Sequence, residues 1–283
     1  MKIILSRKGT DSSAGGLASP IFPDGRLLSL PIPQADGPVR YSQLHQDNLP
    51  LSRLIKQLGG KQWRSACHLD PDIDPRLKSV DEQWLPAFGQ SGSAQRHLEQ
   101  EGVGVGDLFL FFGWFREVEK VRGRWQFRPG AADMHHIYGW LQVGEIATPD
   151  SQLAARFPQL QQHPHLVKDY PFNTLYLPTP RLTLPGGETD LPGSGCFNHH
   201  RPELKLTREG ATRSVWRLPP AFWPDEFEQA LSYHRQPWRW QQTDEEVVLQ
   251  AAARGQEFVL DLAFSGDIAP WLEQLFRPLC QAE

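Results

Sequence analysis

The alternation of apolar and polar positions divides the chain into extended and helical stretches. Residues 2–5 (KIIL) form a short run of β-branched and aliphatic side chains, as in a buried strand, and residues 6–16 hold almost nothing that fills a core. Residues 19–26 read as a turn, and 27–32 (LLSLPI) as a strand pairing back with the first. Leu51 to Leu58 carry apolar residues at helical spacing and stop at Gly59 and Gly60, which predicts one short helix. The strongest signal is residues 102–117, a glycine turn followed by an apolar and aromatic strand. Residues 136–146 (HIYGWLQVGEI) supply its partner. Further on, 150–168 are helical in part, 170–177 extended, and 183–210 a long ordered loop or lid rich in Gly and Pro. Residues 214–218 predict a strand, 226–234 and 243–253 two amphipathic segments, the second a helix ended by Gly255, and 268–279 a last helix. The expected fold class is α+β: a curved, mostly antiparallel, barrel-like sheet through 2–5, 107–112 and 137–146, with peripheral helices and long ordered loops, in one domain over residues 1–283.

Composition narrows the function classes. With 283 residues, 39% of them hydrophobic, the chain has enough apolar material for a sizeable core. No apolar run approaches the ~20 residues of a membrane helix, and the start lacks a signal peptide's long apolar segment, so a soluble cytoplasmic protein without a membrane partner is expected. The formal charge of −4 argues against coating nucleic acid by bulk electrostatics and leaves room for a local site for one nucleotide. Cys67, Cys196 and Cys280 are odd in number and widely spaced, as buried thiols rather than a disulfide framework would be. The 25 Pro and 24 Gly fit a fold of turns and short strands, and ten Trp give rigid aromatic surface for a core or for stacking on a base.

Candidate chemistry concentrates in a few places. In residues 6–16 (SRKGTDSSAGG), Gly9, Gly15 and Gly16 allow positive φ, so that N–H groups can converge on an anion, while Arg7 and Lys8 add charge. The competing reading is a surface turn with incidental charges, since no GxxxxGK[ST] signature is present. A second cluster, His68, Asp70, Asp72 and Asp74, admits an H-x-D half of a facial triad completed by a distant histidine, or turn-forming carboxylates before proline. We favour the second, with no metal, His68, Asp70 and Asp72 serving a bend or lining the pocket as hydrogen-bonding groups. The helix predicted from Ser93, after Gly89-Gln90-Ser91, offers a further anion site, and the Gln90 amide can pair with a base edge. His163 and His165 flank Pro164, which favours an extended loop over a shared ligand set.

The motifs SRKGTDSSAGG (6–16), SPIFPDG (19–25), HLDPD (68–72), FGQ (88–90) and GDLFLFFG (106–113) together resemble the third type of nucleotide modification associated domain, from residue 1 to about the GQEF stretch at 255–258. The resemblance implies a setting among DNA base modification genes, hence a nucleotide or base as partner and DNA as the polymer in question. It names no cofactor and no oligomeric state. Three functions follow. The first is an enzyme transferring or hydrolysing a group on a base or sugar-phosphate, with Arg7 and Lys8 on phosphate, Asp11 as acid or base, His68 and Asp70 beside it, and Ser6, Ser12, Ser13, Gln90 and Gln256 orienting the substrate. The second is a non-catalytic module that recognises a modified base with Trp114 and Trp140. The third is a metal-dependent oxidase using His68 and Asp70.

Overall fold

A computed structural model describes residues 1–60, 66–78, 84–243 and 245–280. The main sheet is a curled half-barrel, mostly antiparallel. Its strands follow the order Glu257–Asp261, Lys2–Arg7, Leu108–Val121, Met134–Ala147, Thr174–Pro178, Phe88–Gln90, and only the first strand and its aromatic neighbour run parallel along this path. Both faces of the central strand are buried: Leu108, Leu110 and Phe112 pack with Ile137, Trp140, Trp216 and Phe258, while Phe109, Phe111 and Phe115 pack with Phe88, Tyr138 and Tyr176. Such a strand reads as a continuous apolar run. Register shifts at Ile137/Gly139 and Val143/Glu145 interrupt the ladder, and bulges of this kind bend a strand and raise its twist.

The curl places the two edges of this path next to each other. Gln90, at the end of one edge strand, donates through Nε2 to Glu257 Oε1 at the start of the other, 2.5 Å away. Lys8, just past the first strand, donates to the same oxygen at 2.7 Å. The mouth formed there is where the candidate site lies.

Several expectations need correction. Residues 27–32 do not pair with the first strand, whose two neighbours are Leu108–Val121 and Glu257–Asp261; instead Ile32–Pro33 pairs with Ala66–His68. Pro31 and Pro33 carry no N–H and so suit short edge pairing. Residues 183–210 are largely structured, with a hairpin of Arg181–Leu184 and Gly187–Pro192, a strand Ser194–Cys196 on the main sheet and a 3-10 turn Pro202–Leu204. In place of a helix over 243–253 stands the strand Val247–Gln250, paired with Val215–Leu218 and Trp240–Gln242; Val247, Val248 and Leu249 are buried there, where β-branched side chains fit well. Segment 226–234 contains the 3-10 turn Phe227–Gln229. Of the three thiols, Cys67 is buried, Cys196 half-buried and Cys280 exposed. The helices Leu51–Gln57, Gly92–Gln100 and Ala269–Cys280 lie where the sequence puts them. No helix among the described residues is long and apolar enough to cross a membrane.

Candidate functional site

A cavity of ≈ 400 Å³ opens at the mouth of the half-barrel. Its wall is drawn from four distant segments: the loop after the first strand (Arg7, Lys8, Gly9, Asp11, Ser13), the turn of His68 and Asp70, the Gly89-Gln90-Ser91 strand end, and Ala253 to Gln256. His165 and Tyr170 also line it, with Ala14 and Ile32. Other surface cavities have similar volumes, so chemistry rather than size distinguishes this one.

The glycine loop is organised from within. Asp11 Oδ1 accepts from Ser13 N at 2.7 Å, Ser13 Oγ at 2.8 Å and Ala14 N at 2.7 Å, and Gly9, Gly15 and Gly16 take the positive φ angles their sequence allows. Burial alone would raise the Asp11 pKa, yet the hydrogen bonds from Ser13 and Ala14 and the nearby Arg7 charge prevail and hold it low. A carboxylate so engaged fixes the loop and is a poor proton carrier near neutral pH. The Arg7 fork is likewise occupied: its terminal nitrogens donate to the carbonyls of Ala252 at 2.8 Å and Ala253 at 3.0 Å. Arg7 therefore ties the 252–256 loop to the first strand. Arg254 on that loop is exposed, lines the cavity and has no ion pair among the described residues.

Along the floor, Lys8 and Glu257 form a buried ion pair, their side chains 9% and 0% exposed, and Gln90 caps the same Glu257 oxygen. The Gln90 Oε1 accepts from Ser91 N at 3.0 Å. Both ends of this amide are thus in use by the protein.

The opposite wall differs. His68 Nδ1 lies 2.7 Å from Gln34 Oε1, and His165 Nδ1 lies 2.6 Å from Asn173 Oδ1. The Asn173 amide is oriented by its Nδ2, which donates to His165 O at 2.8 Å; Gln34 is oriented by Nε2, which donates to Asp36 and Tyr170. Nδ1 is consequently the donor in each imidazole, and the two Nε2 atoms are left facing Asp70 Oδ2 at 3.6 and 3.9 Å. The other Asp70 oxygen accepts from Gly89 N at 2.7 Å and has His163 Nε2 at 3.4 Å. Burial would raise the Asp70 pKa, but the His163 imidazole beside Oδ1 prevails and holds it well below the usual carboxylate range. Burial lowers the His165 pKa to about 4 against the pull of Asp70, so its ring is neutral at physiological pH. Gly89 makes room for this arrangement: a Cβ there would lie 2.2 Å from the His165 ring.

The remaining sequence candidates lie elsewhere. Ser6 is fully buried on the ladder opposite Glu257, with its Oγ unpaired among the described residues, and Ser12 is exposed and met by Arg213. Trp114 does not line the cavity; its Nε1 donates to Asp133 and its face carries Arg213. Trp140 is core, against Phe197 and Phe276, so the two tryptophans form no cage. Asp72 pairs with Lys78 at 2.5 Å and does not line the cavity. Gln256 is exposed at the rim. Sequence reasoning missed Tyr170, Arg254 and the Lys8–Glu257 pair, and left His165 in an extended loop. Pro164 in fact begins the short helix Pro164–Val167, with His163 Nδ1 accepting from His165 N, and Pro at the first helical position is the signal that could have shown it.

Comparison with curated proteins and with solved structures gives no match. The family model described as nucleotide modification associated domain 3 matches residues 2–261, which takes in every wall of the cavity, and the chain belongs to that family.

Proposed function

We propose that the protein is a nucleotide- or base-modifying enzyme, a transferase or hydrolase, whose substrate sits in this cavity with its anionic group toward Arg254. The observation that carries the reading is convergence: the glycine loop, the Gln90 strand end and the 253–256 loop line one concave volume together with two imidazoles and a buried carboxylate. Its size lies within the ~300–1,000 Å³ range of small-ligand sites. Arg254, exposed on a loop that Arg7 braces, is the cation that meets phosphate, and Gln256 and Ser13 offer hydrogen bonds beside it. Tyr170 supplies a ring for a base. The reacting end then lies against His68, Asp70 and His165, whose hydrogen bonds to Gln34, Gly89 and Asn173 hold them in place without substrate.

Thermal melting of metal-free protein with nucleoside mono-, di- and triphosphates, nucleosides and inorganic phosphate tests this. Phosphorylated ligands should raise Tm and nucleosides should not, and Arg254→Ala should remove most of the shift. A wild type that responds to no nucleotide and no phosphate contradicts the proposal.

A further inference from the structure

We infer that His68, Asp70 and His165 form a binding site for one first-row divalent transition metal ion, with its open coordination positions toward the cavity. This goes beyond the nucleotide reading, does not depend on it, and reverses the metal-free reading of His68 and Asp70 that the sequence alone favours. Three acceptor atoms, one from each residue, lie within 4.8 Å of one another. Each Nδ1 donates to a side-chain amide oxygen, so both Nε2 atoms present lone pairs to the same carboxylate oxygen. Facing acceptors repel unless a cation lies between them. The gaps of 3.6 and 3.9 Å are too long for a hydrogen bond through a shared proton. They are close to the roughly 3–3.5 Å that separates two donors on one ion when each bond is about 2.0–2.2 Å. A small inward movement of the rings suffices.

The surroundings are those of a metal site. An imidazole ligand with its remote N–H on an amide oxygen has a fixed tautomer and a fixed plane, as ligating histidines usually do. Asp70 is monodentate by construction: Oδ1 is taken by Gly89 N, and Oδ2 is left for the ion. Side-chain exposures of 14%, 5% and 4% for His68, Asp70 and His165 put the three at the inner end of the cavity, reachable by a small ligand and shielded from bulk water. Two imidazoles and one carboxylate on one side of an ion suit Fe(II), Co(II) or Zn(II) rather than Mg(II) or Ca(II), which prefer all-oxygen shells. The remaining positions would take water or an oxygen of the substrate.

The test uses full-length protein stripped with a chelator and titrated with Co(II), followed by visible absorption, with Zn(II) as competitor and circular dichroism to confirm folding. Stoichiometric uptake with ligand-field bands is expected, lost in Asp70→Asn and His165→Ala and kept in His199→Ala, an exposed histidine outside the cavity. Asn173→Ala removes only the partner of a ligand and should weaken affinity about 10–100-fold. A folded wild type with no saturable uptake, or uptake that is unchanged in Asp70→Asn or in His165→Ala, overturns the site. Nucleotide binding is read without metal and metal binding without nucleotide, so either proposal can fail while the other stands.

Discussion

The two walls of the cavity solve the problem of buried charge in opposite ways. On one, Lys8 and Glu257 neutralise each other across 2.7 Å and Gln90 adds a donor to the shared oxygen, so the curled sheet is fastened edge to edge. On the other, Asp70 is as deeply placed; Gly89 N and His163 serve its Oδ1, while its Oδ2 faces the Nε2 atoms of His68 and His165 at 3.6 and 3.9 Å. The first wall is balanced by the protein itself. The second leaves one carboxylate oxygen facing two ring nitrogens, where the proposed metal ion would lie. A half-satisfied cluster beside a satisfied one is a place where a fold carries local strain that a ligand can relieve.

The largest effect should come from the balanced wall. Glu257→Gln keeps the shape but leaves Lys8 charged and buried, which should cost roughly 3–5 kcal/mol in urea unfolding; a loss below about 1 kcal/mol would mean that Lys8 finds water or another partner. Acid should act next, through the loop that carries Arg254. His234 is fully buried, with Nδ1 bonded to Ser232 O and Nε2 accepting from Ala252 N, an arrangement possible only for the neutral ring. Burial lowers its pKa to about 4. The folded value lies below the unfolded one near 6.5, so the unfolded chain takes up the proton first. Its stabilisation is complete above about pH 6.5 and falls as the pH drops toward 4, by about 3 kcal/mol in total at ~1.4 kcal/mol per unit. Urea midpoints across this window check the slope, and His234→Gln should flatten it.

Gly89→Ala separates the walls from the other side. The added Cβ meets the His165 ring, so the variant should lose about 1–3 kcal/mol and its metal uptake while leaving the Lys8–Glu257 pair intact. Retention of both stability and metal would show that His165 is free to move. The smallest effect is Arg7→Lys. A lysine can hold one of the two carbonyls now bound by the fork, so stability should fall by ~1 kcal/mol, with weaker nucleotide binding through a looser 252–256 loop.

What the sequence revealed follows the range of the interactions concerned. The aromatic strand Leu108–Val121 and its partner Met134–Ala147 were legible because their burial is written in their own residues. The glycine loop was legible as polar material that no core would hold, and His68 with Asp70 as a local pair. Pairing of residues 27–32 was misjudged because strand partners are chosen across the whole sheet. His165 is nearly a hundred positions from His68, and what brings the two together is the missing Cβ of Gly89 on an intervening strand. Arg7 was placed on phosphate because nothing near it in sequence shows that Ala252 and Ala253 would take both ends of its fork.

The central claim is that the two walls enclose one site, and the ligand-field spectrum of bound Co(II) tests it most directly. Protein loaded with Co(II) is titrated with the nucleotide that raises Tm most. The account predicts a saturable change in the visible bands at the nucleotide concentration that stabilises the fold, as substrate displaces or orders a ligand on the ion. A spectrum that stays constant while the nucleotide saturates would contradict it, because the reacting end of the nucleotide would then lie away from His68, Asp70 and His165.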